Sequence, residues 1–109
     1  MSDCIFCKIR DKQISSELIH ETQDFFVIKD IAPKADIHNL IIPKKHIESL
    51  LSLSDDDRRL VGEMIGYTRE LAGRYGLTEK GYKVEINTGP EGGQEVMHLH
   101  LHFLAGTRK

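Results

Sequence analysis

The chain has 109 residues, 29% of them charged and 39% apolar, with a formal net charge of −2. This composition is typical of one soluble domain, so residues 1–109 are expected to form a single unit. The weak net charge gives no reason to expect nucleic-acid binding, and no segment approaches the ~20 apolar residues of a membrane span. The N-terminus has no apolar core of a signal peptide, which favours the cytoplasm.

The N-terminal half predicts short elements. Residues 4–10 fit a short helix or an extended start. Two strands follow at about 17–21 and 25–29, and they are separated by a Thr-Gln-Asp turn. Residues 31–36 contain Pro33 and predict a loop, since proline disfavours a helical conformation in the residue before it. Residues 37–43 are an apolar strand ending at proline, and 44–53 predict a short helical turn.

One long helix is clearly encoded. Ser54 is followed by three aspartates, a start that resembles a capping box and places acids where the helix dipole favours them. Leu60, Met64, Tyr67, Leu71 and Tyr75 then recur at spacings of three and four. Strands at 82–89 and 97–105, with a glycine-rich loop between them, complete the pattern. The fold class is therefore α+β, an antiparallel sheet of about five strands with one helix on a face.

The last predicted strand, "MHLHLHFLA", carries half of the six histidines. On a strand, His98, His100 and His102 would share one face, about 6.6 Å apart along the strand. Three interpretations compete: an exposed polar face, a metal site with two ligands from H-x-H, and catalysis by imidazole. The preceding loop favours catalysis on an anionic group, because glycine lets backbone N–H groups approach a phosphate and Gln94 adds a side-chain donor.

These motifs resemble the histidine triad superfamily of nucleotide hydrolases and transferases. "GGQEV" with "HLHLHFL", "CIFCKI", "DIAPKADIHNLIIPKKHI" and "GYKVEINTG" recur in family order over nearly the whole chain. The double glycine is most similar to the Hint branch of purine nucleoside phosphoramidases. The resemblance implies a small α+β domain that dimerises into a continuous sheet, and a reaction that requires no cofactor.

The resemblance also implies roles. His100 would attack the α-phosphorus and form a nucleotidyl-imidazole, which water hydrolyses. His102 and the loop backbone at Gly93 and Gln94 would hold the phosphate oxygens, and His38 would support the triad. Asp30 would bind the ribose hydroxyls, and Asn87 would lie beside the leaving group. The positions implied for the purine pocket are Ile5, Phe6, Ile9, Ile28 and Ile31, although the sequence alone favours plain core for these five.

Two features leave alternatives open. Some bacterial relatives look to carry zinc on residues that match Cys4, Cys7, His46 and His98. A redox pair or two buried thiols are the competing interpretations of C-x-x-C. Glu95 stands where some relatives have a hydroxyl residue, and an ionised carboxylate cannot donate to a phosphate but could face a cationic or amine leaving group. A dinucleoside polyphosphate hydrolase and a zinc-stabilised nucleotide-binding adaptor are the alternative functions.

Overall fold

The computed structural model describes residues 3–108 and contains a five-stranded antiparallel sheet with one long helix, which confirms the predicted fold class. The strands lie in the order β1-β2-β3-β5-β4. The elements, in chain order, are α1 (Ile5–Arg10), β1 (Leu18–Glu21), β2 (Phe25–Lys29), β3 (Ala35–Pro43), a 3-10 turn (Leu50–Ser52), α2 (Asp55–Arg74), β4 (Lys83–Glu85) and β5 (Leu101–Arg108). No helix within these residues is long and apolar enough to cross a membrane.

Helix α2 begins as the sequence predicts. The Ser54 hydroxyl accepts from the Asp57 N–H, and the Asp57 carboxylate accepts from the Ser54 N–H, so both halves of a capping box are present. The apolar stripe of the helix covers one face of the sheet. The core between them contains Phe25, Val27, Ile41, Met64, Leu71, Ala72, Leu101, Phe103 and Ala105.

The opposite face of the sheet is covered by the short helix α1. Phe6 of α1 packs with Phe26 and Ile28 of β2 and with Leu40 and Ile42 of β3. Alternation along the strands therefore sends neighbouring residues into two different layers. Because α1 covers only part of this face, the remainder is open and forms the wall of a cleft.

The predicted bounds of several elements are wrong. The last strand begins at Leu101, not at residue 97. Its final pair with β3 is Leu101 opposite Ile41, although β3 itself continues to Pro43 beside β2. The Leu99 N–H instead donates to the Ile47 carbonyl at 2.7 Å, outside the sheet. The same strand extends to Arg108, β3 starts two residues early at Ala35, and β4 covers only Lys83–Glu85 of the predicted 82–89.

Candidate active site

A cleft of about 600 Å³ opens on the face that α1 leaves uncovered. Its walls come from α1, the end of β2, β3, the start of β5 and the loop before it. The predicted site residues that line it are Ile5, Phe6, Ile9, Ile28, Asp30, Ile31, His38, Asn87, Gly93, Glu95, His100 and His102. Ile31 is 95% exposed and Ile5 is 42% exposed, so these two are not core residues.

His100 is held in one tautomer by the main chain. Its Nδ1–H donates to the carbonyl of His98 at 2.7 Å, which leaves the lone pair on Nε2. The ring is buried and packs edge-on against Phe6, with ring centroids 5.0 Å apart. A neutral imidazole with a fixed orientation and a free lone pair is suited to act as a nucleophile.

His102 is held in the opposite tautomer. The Lys34 N–H donates to His38 Nδ1 at 3.1 Å, so the proton of His38 lies on Nε2. That Nε2–H donates to His102 Nδ1 at 2.9 Å, which puts the proton of His102 on its own Nε2. The two cleft imidazoles, 5.0 Å apart, therefore differ: His100 offers a lone pair and His102 offers a hydrogen-bond donor.

The strand register explains the contact between His38 and His102. Leu104 lies opposite His38 and His102 lies opposite Leu40, so the two histidines are diagonal neighbours on one face of the β3–β5 pair. Asp30 Oδ2 lies 3.5 Å from His38 Nε2, and Asp30 Oδ1 accepts from the Ala32 N–H. The Asp30 carboxylate thus places a negative charge beside His38, on the β2 side of the two histidines.

Burial favours the neutral form of His100 and His102. Removal from water disfavours the imidazolium, which lowers the pKa of His102 to about 4 and also lowers the pKa of His100. We therefore expect His102 to titrate near pH 4 in NMR spectra of the side-chain ¹⁵N and ¹³C nuclei, with the Nε2–H tautomer present above about pH 5. A midpoint near the ordinary value of about 6.5 would contradict this expectation.

The glycine-rich loop corrects one prediction. The Gln94 side chain is not a free donor: its amide donates to the carbonyls of Glu48 and Val96, and its oxygen accepts from the Gly89 N–H. The backbone N–H groups of residues 92, 93 and 94 donate to the carbonyls of Gly89 and Pro90. These N–H groups therefore make hydrogen bonds within the loop and do not form an open anion-binding site. The Gln94 side chain stabilises the loop conformation.

Two positions of the loop, 92 and 93, strongly favour glycine. A Cβ on Gly92 would collide with the backbone of Thr88, and Gly93 has φ +75°. The Asn87 side chain donates to the Gly92 carbonyl at 2.8 Å and retains a second N–H on the same nitrogen. Asn87 therefore joins the loop to the cleft, which both residue 87 and residue 93 line.

His98 does not belong to a row with the other two histidines, and it does not line the cleft. Its Nε2–H donates to the Pro43 carbonyl at 2.8 Å, which leaves the Nδ1 lone pair facing two thiols. Nδ1 lies 3.1 Å from Cys4 Sγ and 3.6 Å from Cys7 Sγ. His46 Nδ1 lies 3.3 Å from Cys7 Sγ.

These four side chains fit a tetrahedral metal site. Their ligand atoms all lie within 4.8 Å of one another. Usual Zn–S and Zn–N bond lengths put sulfur and nitrogen ligands about 3.6 Å apart in a regular tetrahedron, close to the separations found. The carbonyl that fixes the tautomer of His98 is the kind of outer partner that metal-binding histidines use. Burial raises the pKa of Cys7.

The sequence missed several residues that line the cleft: Ile14, Ser15, Ser16, Lys29, Ala32, Lys34, Leu40, Glu85, Val96 and Leu104. Glu85 had a usable signal, since a strand next to the histidine strand must place one side chain beside His102, and Glu85 is that partner. Residues 14–16 lie in an irregular segment after α1, and no motif marked them.

Known proteins match both the sequence and the fold. The family model described as "Scavenger mRNA decapping enzyme C-term binding" matches residues 3–109. Protein HitA of Neisseria gonorrhoeae is 44% identical over 104 residues, which cover 95% of this chain and 96% of that protein. An HIT-like protein of Synechococcus elongatus is 41% identical, over 95% of this chain and 90% of that protein. This chain belongs to the histidine triad superfamily.

Solved structures of histidine triad proteins have the same fold as this chain. A HIT family hydrolase from Legionella pneumophila superposes with a TM-score of 0.92 at 40% identity, over 97% of this chain and 95% of that one. A histidine triad nucleotide-binding protein from Candida albicans gives 0.83 at 34% identity, over 93% of this chain and 73% of that one. The resemblance noted from the motifs is confirmed at the level of the superfamily.

Proposed function

We propose that this histidine triad protein is a nucleotide hydrolase that cleaves purine nucleoside 5′-phosphoramidates through a covalent nucleotidyl-His100 intermediate. The coarser part, a hydrolase of this family, is supported by relatives described as HIT family hydrolases. The observation that carries the finer part is the pair of opposed tautomers, a lone pair on His100 Nε2 beside an N–H on His102 Nε2.

The chemistry follows from that pair. His100 Nε2 attacks the α-phosphorus and the P–N bond breaks, while the leaving nitrogen takes up a proton from solvent. Water then attacks the phosphorus, the bond from phosphorus to His100 Nε2 breaks, and the water gives up a proton to solvent. This releases the nucleoside monophosphate, so one hard step is divided into two. The His102 Nε2–H donates to a phosphate oxygen where negative charge gathers, and Asn87 offers its second N–H.

The nucleoside occupies the other end of the cleft. The apolar walls formed by Ile5, Phe6, Ile9, Ile28 and Ile31 suit the faces of a purine. Asp30, at the end of β2, accepts from the ribose hydroxyls, because a carboxylate can take two hydroxyl donors. The exposure of Ile5 and Ile31 supports a wall that contacts a ligand.

Zinc on Cys4, Cys7, His46 and His98 belongs to the same proposal as a structural ion. Such an ion would hold α1 against the segment that precedes β5, and the reaction itself requires no metal. The homodimer with a continuous sheet and the cytoplasmic location stay predictions. The size of an intact complex by light scattering tests the dimer.

The function is tested with a substrate panel. Adenosine 5′-phosphoramidate should release AMP, and the protein should acquire the mass of one nucleotidyl group after a rapid quench. Faster cleavage of diadenosine polyphosphates than of the phosphoramidate would favour the alternative hydrolase. Purine nucleotide binding without turnover or a nucleotidylated protein would favour the zinc-stabilised adaptor.

A further inference from the structure

We propose that Glu95 makes this active site prefer phosphoramidates whose amine leaving group carries a positive charge. The inference rests on the proposed function and adds a residue that selects the substrate. Glu95 is exposed and lines the cleft together with His100.

Asp30 and Glu95 lie towards opposite ends of β3. The Asp30 N–H donates to the carbonyl of His38 near the start of β3, whereas Gln94, next to Glu95, donates to the carbonyl of Glu48 beyond the end of β3. His100 immediately precedes Leu101, which pairs with Ile41, so His100 lies between the two carboxylates along β3. If Asp30 takes the ribose, the group that departs from phosphorus leaves towards the side of Glu95.

The described residues on that side of the cleft leave one negative charge unbalanced. Glu85 lines it as well, but Lys83 Nζ lies 3.5 Å from the Glu85 carboxylate and offsets its charge. Among the side chains of residues 3–107, which the structure describes, Glu95 has no ion-pair partner. The His102 imidazole adds no positive charge at neutral pH, because burial lowers the pKa of His102 to about 4.

A phosphate group in this cleft therefore lies beside an unpaired carboxylate. An anionic leaving group such as an oligophosphate adds repulsion, whereas an ammonium group attached to the leaving amine offsets the charge of Glu95. A hydroxyl residue at this position would make no such distinction. The same argument ranks dinucleoside polyphosphates below amine-bearing substrates.

Three adenosine 5′-phosphoramidates test the proposal. Their leaving amines are 1,5-diaminopentane, pentylamine and 5-aminopentanoate, which have the same chain length and keep the distant charge away from the P–N bond. The measurement is kcat/KM for each, at low and high ionic strength. We expect the cationic substrate to exceed the neutral one about three- to five-fold, as for an exposed charge pair, and the anionic one about tenfold. Salt should reduce both ratios.

The Glu95→Gln variant should bring all three values within about twofold of one another, and Glu95→Asp should restore part of the discrimination. Glu91→Gln removes a charge from the same loop outside the cleft and should keep the wild-type ratios. Equal ratios in wild type and Glu95→Gln, or a wild type without charge preference, would overturn the proposal. If no phosphoramidate is cleaved and no nucleotidylated protein forms, the proposed function itself fails.

Discussion

Replacing His100 by alanine is expected to reduce kcat for adenosine 5′-phosphoramidate by about 10⁴-fold or more, since the nucleophile and its covalent intermediate are both lost. AMP release under saturating substrate is the measurement. Nucleotide binding should persist, because the purine walls and Asp30 are unchanged. The dissociation constant for AMP should therefore change far less than kcat.

His20→Ala is the matched control for this prediction. His20 stacks on Tyr67 with ring centroids 4.5 Å apart, on the side of the sheet that α2 covers. It lies outside the cleft, and its loss should leave turnover near the wild-type level. Near-normal activity of His100→Ala, or a nucleotidyl group mapped to another residue by mass spectrometry, would show that a different group attacks phosphorus.

The zinc proposal predicts a second large effect. Reduced protein purified without added metal should contain about one zinc ion per chain, and Cys7→Ser should lower this stoichiometry towards zero. A ligand at a thousandfold its dissociation constant adds about 4 kcal/mol to the free energy of unfolding. Loss of the ion should therefore lower Tm by about 15 °C or more in a domain of this size.

The chain offers a matched pair of histidine variants for the zinc site. His46→Asn removes an exposed ligand, whereas His20→Asn removes a histidine outside the cluster. Only His46→Asn should lose metal and gain sensitivity to a chelator in thermal unfolding. Wild-type protein that contains no zinc and unfolds at the same temperature with and without a chelator would refute the site.

The predictable parts of this molecule are those governed by local pattern. The capping residue Ser54 and the apolar stripe after it placed helix α2 to within about a residue at each end. The alternation of histidines with aliphatic residues assigned Leu101 and Phe103 to the layer under α2 and His102 to the cleft. In these elements, propensity and burial act on the same few consecutive residues.

The unpredictable parts depend on partners distant in sequence. His98 left the histidine row because its ring contacts Pro43 and two N-terminal thiols, more than fifty positions away. Gln94 was expected to contact phosphate because its side chain can donate, but that amide instead donates to the carbonyl of Glu48. Only the folded chain shows which of several available acceptors a polar side chain uses.

The hydrogen bond that fixes His100 has a consequence for how this protein could change. The acceptor is the main-chain carbonyl of residue 98, which every amino acid possesses, whereas the side chain of that residue faces the thiols. The orientation of the nucleophile and the identity of residue 98 are thus separable. A homologous protein with apolar side chains in place of both cysteines and this imidazole would still hold His100 in the same orientation.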